Sequence, residues 1–319
     1  MKVTDHIKNS SSPLISFEIT PPNEGTLEDA MNKVSKLAPY EPPFIDVTYH
    51  PVEQVIKRTN EGLEEVIQRK YPGTRTICST MQRENKIDAV PHILCRGFSW
   101  NETHDLLNEI KFDGIENILV IQGDDKGYER PLHFSDKTFE HPSDLIPEIR
   151  KTFGDSFCIG VAGYPEKHRA SPNSRTDLEF LKIKVDSGAD YIVTQMFYNN
   201  KFYFKFVDRC RKAGINVPII PGITVLSKKE HTTDHPDTFD IDIPYALSSK
   251  VDKATPEDAK KLGIEWGTKQ VDELIRGEVP SAHFYVFSGI KSATMVIDNL
   301  NIKKNHPLLA NSAPSAITS

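Results

Sequence analysis

The chain has 319 residues, 38% of them hydrophobic, and a formal net charge of −6. No basic stretch interleaves with aromatics, so no nucleic-acid partner is expected, and no apolar run reaches the roughly 18 residues that span a bilayer, so neither is a membrane. The first ten residues, MKVTDHIKNS, lack the apolar core of a secretory signal, and the expected location is the cytoplasm.

Taken in order, residues 1–13 read as a flexible or short helical lead-in. The apolar run Leu14–Glu18 is followed by a helix opened by Thr26, with Glu28 and Asp29 favourably placed in its first turn. After Phe44–Tyr49, the stretch Pro51–Lys70 is expected to supply a second helix, stopped by Pro72-Gly73. Val90–Cys95 precedes a helix capped by Ser99 that runs to about Phe112, before Asp113-Gly114 turns the chain. Ile118–Asp124 leads into a long polar stretch, Asp125–Pro142, of a length that is usually functional or mobile. Ser143 then caps a helix to Phe153. Phe157–Tyr164 precedes a helix over Asn173–Ser187, closed by Gly188, and Tyr191–Gln195 precedes one over Asn200–Ala213, closed by Gly214. Beyond Val217–Ile223, the charged and prolyl stretch from Ser227 to about Pro256 has room for one or two short helices over the end of the fold. Thr255–Arg276 is a helix with Pro256 at its first position and Gly277 past its end. His283–Phe287 is the eighth apolar run, and a last helix ends near Leu300. The small, polar tail Lys303–Ser319 is expected to be disordered.

Eight short apolar runs, most of them separated by helical periodicity, are what a closed parallel barrel requires, because parallel strands need crossover connections. The expected fold is therefore α/β, a (β/α)8 TIM barrel, as one catalytic domain over residues 1–302. Cys78, Cys95, Cys158 and Cys210 are scattered without a CxxC pair and read as buried reduced thiols.

Barrel chemistry sits at the C-terminal strand ends. Those ends carry Glu18, Thr48, His92, Asp124, Tyr164 and Gln195. Glu18, in SFEITPP, lies among apolar neighbours just before two prolines. A carboxyl in an apolar wall has its charged form disfavoured and its pKa raised toward the range of a general acid; the competing reading is a structural ion pair with a mouth Lys or Arg. Asp124 follows Gly123, which lets the backbone approach a ligand. His92 alone would read as a core histidine. The cluster Tyr164-Pro165-Glu166-Lys167-His168 combines an aromatic, both charge signs and an imidazole, and favours ligand binding. No lysine lies in the expected strands, against a Schiff-base aldolase. No HxH or His/Asp set has metal-ligand spacing, so no metal is expected. No glycine-rich phosphate loop is present, so any nucleotide cofactor must be held by mouth side chains and helix N-termini.

Together the segments SFEITPP (16–22), VTYH (47–50), PHILC (91–95), QGDD (122–125), AGYPEKH (162–168), DSGADYIVTQMFY (186–198), PIIPGI (218–223) and HFY (283–285) resemble the methylenetetrahydrofolate reductase family, most closely its short bacterial single-barrel type. The resemblance implies a hydride passed from NADH or NADPH to FAD and then to 5,10-methylenetetrahydrofolate, in a two-step mechanism on one face of the flavin. It implies Glu18 as the acid that protonates the folate's bridging nitrogen, and Asp124 as a negative charge favouring the resulting cation. It implies Gln195, Tyr203 and Lys291 as substrate contacts. Thr48, Tyr49, His92, Gln122, Gly123, Asp124, Tyr164, His168, Asp177 and Lys184 become flavin-site positions. A homo-oligomer is the implied assembly.

Four departures bear on the ligand sites. Gln122 stands where the family shows arginine before Gly-Asp, His141-Pro142 replaces Tyr-Ala, Ile183 replaces a second arginine, and Gly289 falls where an arginine binds folate, leaving Lys291 the nearest cation. Fewer charge-assisted bonds imply a loosely held FAD. Two rival readings follow: a catalytically altered barrel that binds folate or flavin, and a reductase fed by a partner protein.

Overall fold

The computed structural model describes residues 1–22, 25–49, 53–59, 62–68, 72–123, 137–287 and 289–300. A short helix α1 (Val3–Asn9) precedes β1 (Leu14–Ile19), α2 (Leu27–Leu37) and β2 (Phe44–Val47). A hairpin of β3 (Glu53–Thr59) and β4 (Gly62–Gln68) follows, then α3 (Thr74–Asn85), β5 (Asp88–Leu94), α4 (Trp100–Phe112) and β6 (Asn117–Ile121). Next come α5 (Pro142–Phe153), β7 (Cys158–Gly163), α6 (Ser174–Asp186), β8 (Tyr191–Thr194) and α7 (Asn200–Lys212). Two short segments, β9 (Ile219–Ile220) and β10 (Gly222–Ile223), precede α8 (His231–Phe239), α9 (Tyr245–Val251), α10 (Pro256–Arg276), β11 (Ser281–Tyr285) and α11 (Ile290–Asn299).

The main sheet runs β10-β11-β1-β2-β5-β6-β7-β8-β9 with every pairing parallel. Its two ends, β9 and β10, are halves of one strand interrupted at Pro221, whose nitrogen has no proton to give to a ladder. The eight expected runs thus form a nearly closed (β/α)8 barrel in nine segments.

Side chains alternate along each strand between the interior and the helical shell. Phe17, Ile45, Val47, Ile118, Val161, Ile192 and Phe284 face outward and pack with the apolar stripes of the helices. Leu14, Phe44, Val90, Leu119, Tyr191 and Ile220 fill the lower interior with Val3 of α1. Helix α1 is fixed across the N-terminal end of the barrel. The Val3 amide donates to Asn117 Oδ1 at 2.8 Å, and His6 Nε2 lies 2.6 Å from Asp88 Oδ2. One step up the same strands the interior turns polar, with Ser16, Glu18, Asp46, His92 and His283.

Local signals hold at most helix starts. Thr26 and Ser99 each form a reciprocal capping box, with Asp29 and Glu102 respectively, and Asn173 and Thr255 cap α6 and α10. Helix α5 begins a little earlier than expected: Pro142 occupies its first turn after His141, so Ser143 lies inside the helix. The stretch 227–256 does hold two short helices, α8 and α9, and Glu166 beyond β7 accepts from the Asp242 amide at 2.9 Å.

The expected helix over 51–70 is overturned. The described part of that stretch is the antiparallel hairpin β3–β4, in a register that sets Val55 opposite Val66 and Thr59 opposite Gly62. Both arms carry β-branched residues, which favour a pleated surface over a helix. Gly62 has φ +137, a value open to glycine. Pro72-Gly73 therefore starts a helix rather than stopping one: Gly73 is the N-cap of α3, the crossover to β5. The expected disordered tail over 303–319 lies outside the described residues.

Gly160 on β7 makes room for Tyr191, since a Cβ there would lie 2.4 Å from the Tyr191 Cζ atom. Gly160→Ala is expected to destabilise the fold by about 1–3 kcal/mol through overpacking. Denaturant unfolding of parent and variant checks this.

Candidate active site

Glu18 is the last interior residue of β1, paired in register with Asp46 on β2 and Tyr285 on β11. His92, two residues from the end of β5, points between the two acids. Its Nε2 lies 3.4 Å from Glu18 Oε2 and 3.7 Å from Asp46 Oδ2. The Asp46 side chain is 0% exposed and the Glu18 side chain 13%. Among the described residues, neither Asp46 oxygen and neither His92 nitrogen has a hydrogen-bond partner.

Burial sets the charge state of this group. It pushes Glu18 up to about 7, with His92 opposing and Asp46 adding to the shift. It also holds the Asp46 carboxyl well above the usual range, and His92 below its ordinary value against the pull of Glu18. Deeper in the barrel, His283 Nδ1 is 2.9 Å from Ser16 Oγ, and burial lowers this imidazole to about 3. No lysine or arginine among the described residues forms an ion pair with Glu18, so the competing reading of Glu18 as half of such a pair finds no partner there.

A second group lies beyond β7. The rings of Tyr164 and His168 meet edge to face at 4.6 Å, and Lys184 Nζ sits 5.8 Å from the Tyr164 centroid. Lys184 donates to the Ala162 carbonyl, and burial lowers it to about 8 against the attraction of Asp177 and Cys95. Asp177 accepts from Ser171 Oγ at 2.9 Å. Helix α6 therefore brings Asp177 and Lys184 to the same strand end as Tyr164 and His168.

The third group joins β5 and β6. Gln122, with its amide oxygen turned toward Arg96, accepts from Arg96 Nε at 3.2 Å and Nη2 at 2.7 Å. Arg96 Nε is also 3.2 Å from Glu140 Oε2. Gly123 has φ +90, where glycine is favoured. Asp124 lies outside the described residues, as do residues 125–136 of the long polar stretch. Thr48 Oγ1 is buried with no described partner, and Tyr49 meets Phe98 edge to face at 5.3 Å. Gln195 directly follows β8, and its Oε1 accepts from the Met196 amide at 2.8 Å.

Two substrate positions stand apart from these groups. Tyr203 is buried in the shell between sheet and helices, where it stacks on Phe197 and donates to the Ile219 carbonyl at 2.7 Å. Lys291 lies in the first turn of α11, beside the segment that follows Glu18. Ile183, at the position of a lost arginine, is 50% exposed on the outer face of α6.

Several residues of the site were not singled out in the sequence. Asp46 had a usable signal: an acid inside the apolar run FIDV, two before Thr48, must share its face. Tyr285, in register with Glu18, donates to the Thr194 carbonyl at 2.6 Å. Arg96 was hidden, because only the meeting of two strand ends puts it beside Gln122.

A buried acid at a C-terminal strand end, beside a buried imidazole and a second buried carboxyl, defines a (β/α)8 barrel with an ionisable cluster at its mouth. The family model for methylenetetrahydrofolate reductase matches residues 2–301, and the chain belongs to that family. It is 32% identical over 323 residues to methylenetetrahydrofolate reductase (NADH) 1 of Arabidopsis thaliana, covering 95% of this chain and 51% of that protein. With 5,10-methylenetetrahydrofolate reductase of Escherichia coli it shares 28% over 293 residues, covering 91% of each. The chain thus spans about half the length of the plant and yeast relatives it matches. In fold it is similar to a Clostridium thermocellum protein described as binding two copies of 5-methyl-5,6,7,8-tetrahydrofolic acid, with a TM-score of 0.60, 15% identity and coverage of 93% and 98%. No described helix is long and apolar enough to cross a membrane.

The direction of the Glu18 shift has a consequence for stability. With a folded value of about 7 against an ordinary 4.5, the unfolded chain releases this proton first as pH rises. The folded state therefore loses stability between those values, by on the order of 3 kcal/mol in all. Glu18→Gln, which carries no titrating proton, is expected to be more stable than the parent at pH 8 and about equal to it at pH 4.5. Thermal unfolding at both pH values checks the sign.

Proposed function

We propose that this chain reduces 5,10-methylenetetrahydrofolate to 5-methyltetrahydrofolate, with NADH or NADPH as electron source and FAD as carrier. The observation that carries the reading is Glu18, a carboxyl buried at the end of β1 that keeps its proton near neutral pH. In this reading Glu18 gives that proton to the bridging nitrogen of the folate. The five-membered ring opens, and the resulting cation can accept a hydride at carbon. Asp46 and His92, both held neutral by burial, leave Glu18 the group that changes charge. Asp124 and Gln195 are assigned to the pterin, with Lys291 as a further contact; Tyr203, buried in the shell with its hydroxyl on the Ile219 carbonyl, is left out of the substrate site.

The chain's own residues suit a flavin. Thr48 Oγ1 and both His92 nitrogens are buried without described hydrogen-bond partners, which is the condition of groups awaiting a ligand. Lys184 and Arg96 supply cations at two strand ends for an anionic diphosphate. FAD, when bound, supplies a two-electron acceptor and donor between nicotinamide and folate. Arg96 lies beside Gln122 and replaces one of the charges missing from the sequence, whereas nothing described stands in for the arginine at Ile183. FAD is therefore expected to be retained more weakly than if both charges were present, with Arg96 carrying a measurable part of the affinity. Arg96→Ala is expected to raise the FAD dissociation constant about tenfold, in line with one charge-assisted bond. Quenching of flavin fluorescence during titration measures it.

Anaerobic spectroscopy of the FAD-loaded protein tests the function. The parent is expected to bleach with NADH or NADPH and to recover its flavin spectrum on addition of 5,10-methylenetetrahydrofolate. The Arabidopsis and rice relatives are named for NADH, so NADH is the first donor to try. Glu18→Gln is expected to bleach at a near-parental rate and to fail to recover with the folate. Recovery at the parental rate would remove Glu18 from the acid role, and a parent that never bleaches would sink the reductase reading.

A further inference from the structure

Two acids share one nitrogen in the barrel interior. Asp46 pairs in register with Glu18 across β1 and β2 and with Val90 across β2 and β5, one interior step below His92. His92 Nε2 therefore faces both carboxyls, 3.4 Å from Glu18 Oε2 and 3.7 Å from Asp46 Oδ2. The two acids differ in access. Asp46 is sealed from solvent, whereas Glu18 stays slightly exposed at its strand end.

Nothing described would balance a charge on Asp46. Among the described residues no lysine or arginine pairs with it, and neither of its oxygens has a hydrogen-bond partner. Besides Glu18 and His92, the titratable groups within its field are the Cys78 thiol on α3 and the Tyr191 and Tyr285 phenols on β8 and β11. None of these is a cation. His283, the other imidazole of this interior, lies against Ser16 and bears on His92. A carboxyl in such surroundings keeps its proton, and a neutral carboxyl can do what a carboxylate cannot, which is donate a hydrogen bond. Folate reduction as proposed uses the proton of Glu18 and leaves that of Asp46 without a task.

An unprotonated imidazole nitrogen accepts one hydrogen. With the Asp46 O–H on Nε2, Glu18 has no free base beside it and keeps its proton for a ligand at the mouth. With Nε2 left open, the Glu18 proton passes to it, leaving a carboxylate–imidazolium pair in which the acid is spent. We propose that Asp46 is a positioning residue for the acid: its hydroxyl hydrogen occupies His92 Nε2 and so holds the proton of Glu18 on Glu18. This rests on the reading of Glu18 as the acid that protonates the folate. A rotation that brings Asp46 Oδ2 closer to Nε2 by about 1 Å makes the bond.

Infrared titration of the full chain tests this without flavin or folate. The band to follow is the protonated-carboxyl stretch that Glu18→Gln removes, and its midpoint in the parent is expected at about 7. Asp46→Leu keeps the branched shape of the side chain and removes the hydrogen. It is expected to lower the Glu18 midpoint by about one pH unit, a tenfold loss of proton affinity, in line with one hydrogen bond. Asp46→Asn keeps a donor in its amide N–H, and is expected to hold the midpoint within about 0.3 pH unit of the parent. Added to His92→Leu, Asp46→Leu is expected to lower nothing. Thermal unfolding shows which variants are folded, and Asp46→Ala takes the place of Asp46→Leu if that chain is not. The signs separate the alternatives. If Asp46 merely fills space, Asp46→Leu moves the midpoint up, because an apolar neighbour disfavours the charged form of Glu18. If it acts through negative charge, Asp46→Asn and Asp46→Leu lower the midpoint equally. Either result, or an unmoved midpoint in Asp46→Leu, overturns the proposal. Folate reduction by Glu18→Gln at the parental rate would instead remove Glu18 from the acid role, and the titration would still decide what Asp46 does to its proton.

Discussion

Every strand residue in a closed parallel barrel faces either a dry interior or the helical shell, and the rest of this molecule follows from that alternation. At the N-terminal end the interior is sealed by α1, and Leu14, Phe44, Val90 and Tyr191 fill it. Two residues further along the same strands stand Ser16, Asp46 and His92. On β1, β2 and β5 the interior face turns from apolar to polar within one interior step of each strand. Three chemically active groups far apart in sequence therefore meet without any loop to position them.

Burying Asp46 and His92 without hydrogen-bond partners costs about 1–3 kcal/mol for each unsatisfied group. The surrounding shell of buried aliphatic and aromatic side chains offsets this. What the arrangement secures is a neutral interior. The buried acid Glu18 is pushed up toward neutrality and the buried cation Lys184 is pulled down toward it, by the same desolvation acting on opposite signs. Groups biased in this way lie near the pH at which a proton moves with little driving force in either direction, which is the condition for acid catalysis.

The barrel, its strand ends and most helix starts were legible in the sequence because each rests on a local signal. Thr26 with Asp29 and Ser99 with Glu102 are complete capping boxes, and the apolar runs are the strands themselves. The hairpin at 53–68 was not legible, because its residues satisfy helical periodicity while β-branching and Gly62 favour strands. Glu18 was legible because its burial follows from its neighbours in the run. Tyr203 shows the opposite case: its place in a motif says nothing of direction, and its hydroxyl is bound to Ile219 inside the shell. Arg96 could not be read, since its meaning depends on which strand end lies beside it.

Where charge remains is as informative as where it is suppressed. Asp46, His92 and His283 in the interior are held uncharged by burial, whereas Arg96 at the β5–β6 end lies at the solvent-facing rim. A cation there keeps most of its hydration and its charge, so it can attract an anion over a distance at which no buried group could act. A ligand with an anionic end and a neutral reacting end is then sorted by electrostatics alone. Its charged end stays at the rim, because moving it inward would cost the desolvation that already raises Glu18 and lowers Lys184, and its neutral end enters the mouth. The same gradient from charged rim to neutral interior that makes Glu18 an acid therefore also fixes which end of a ligand reaches it.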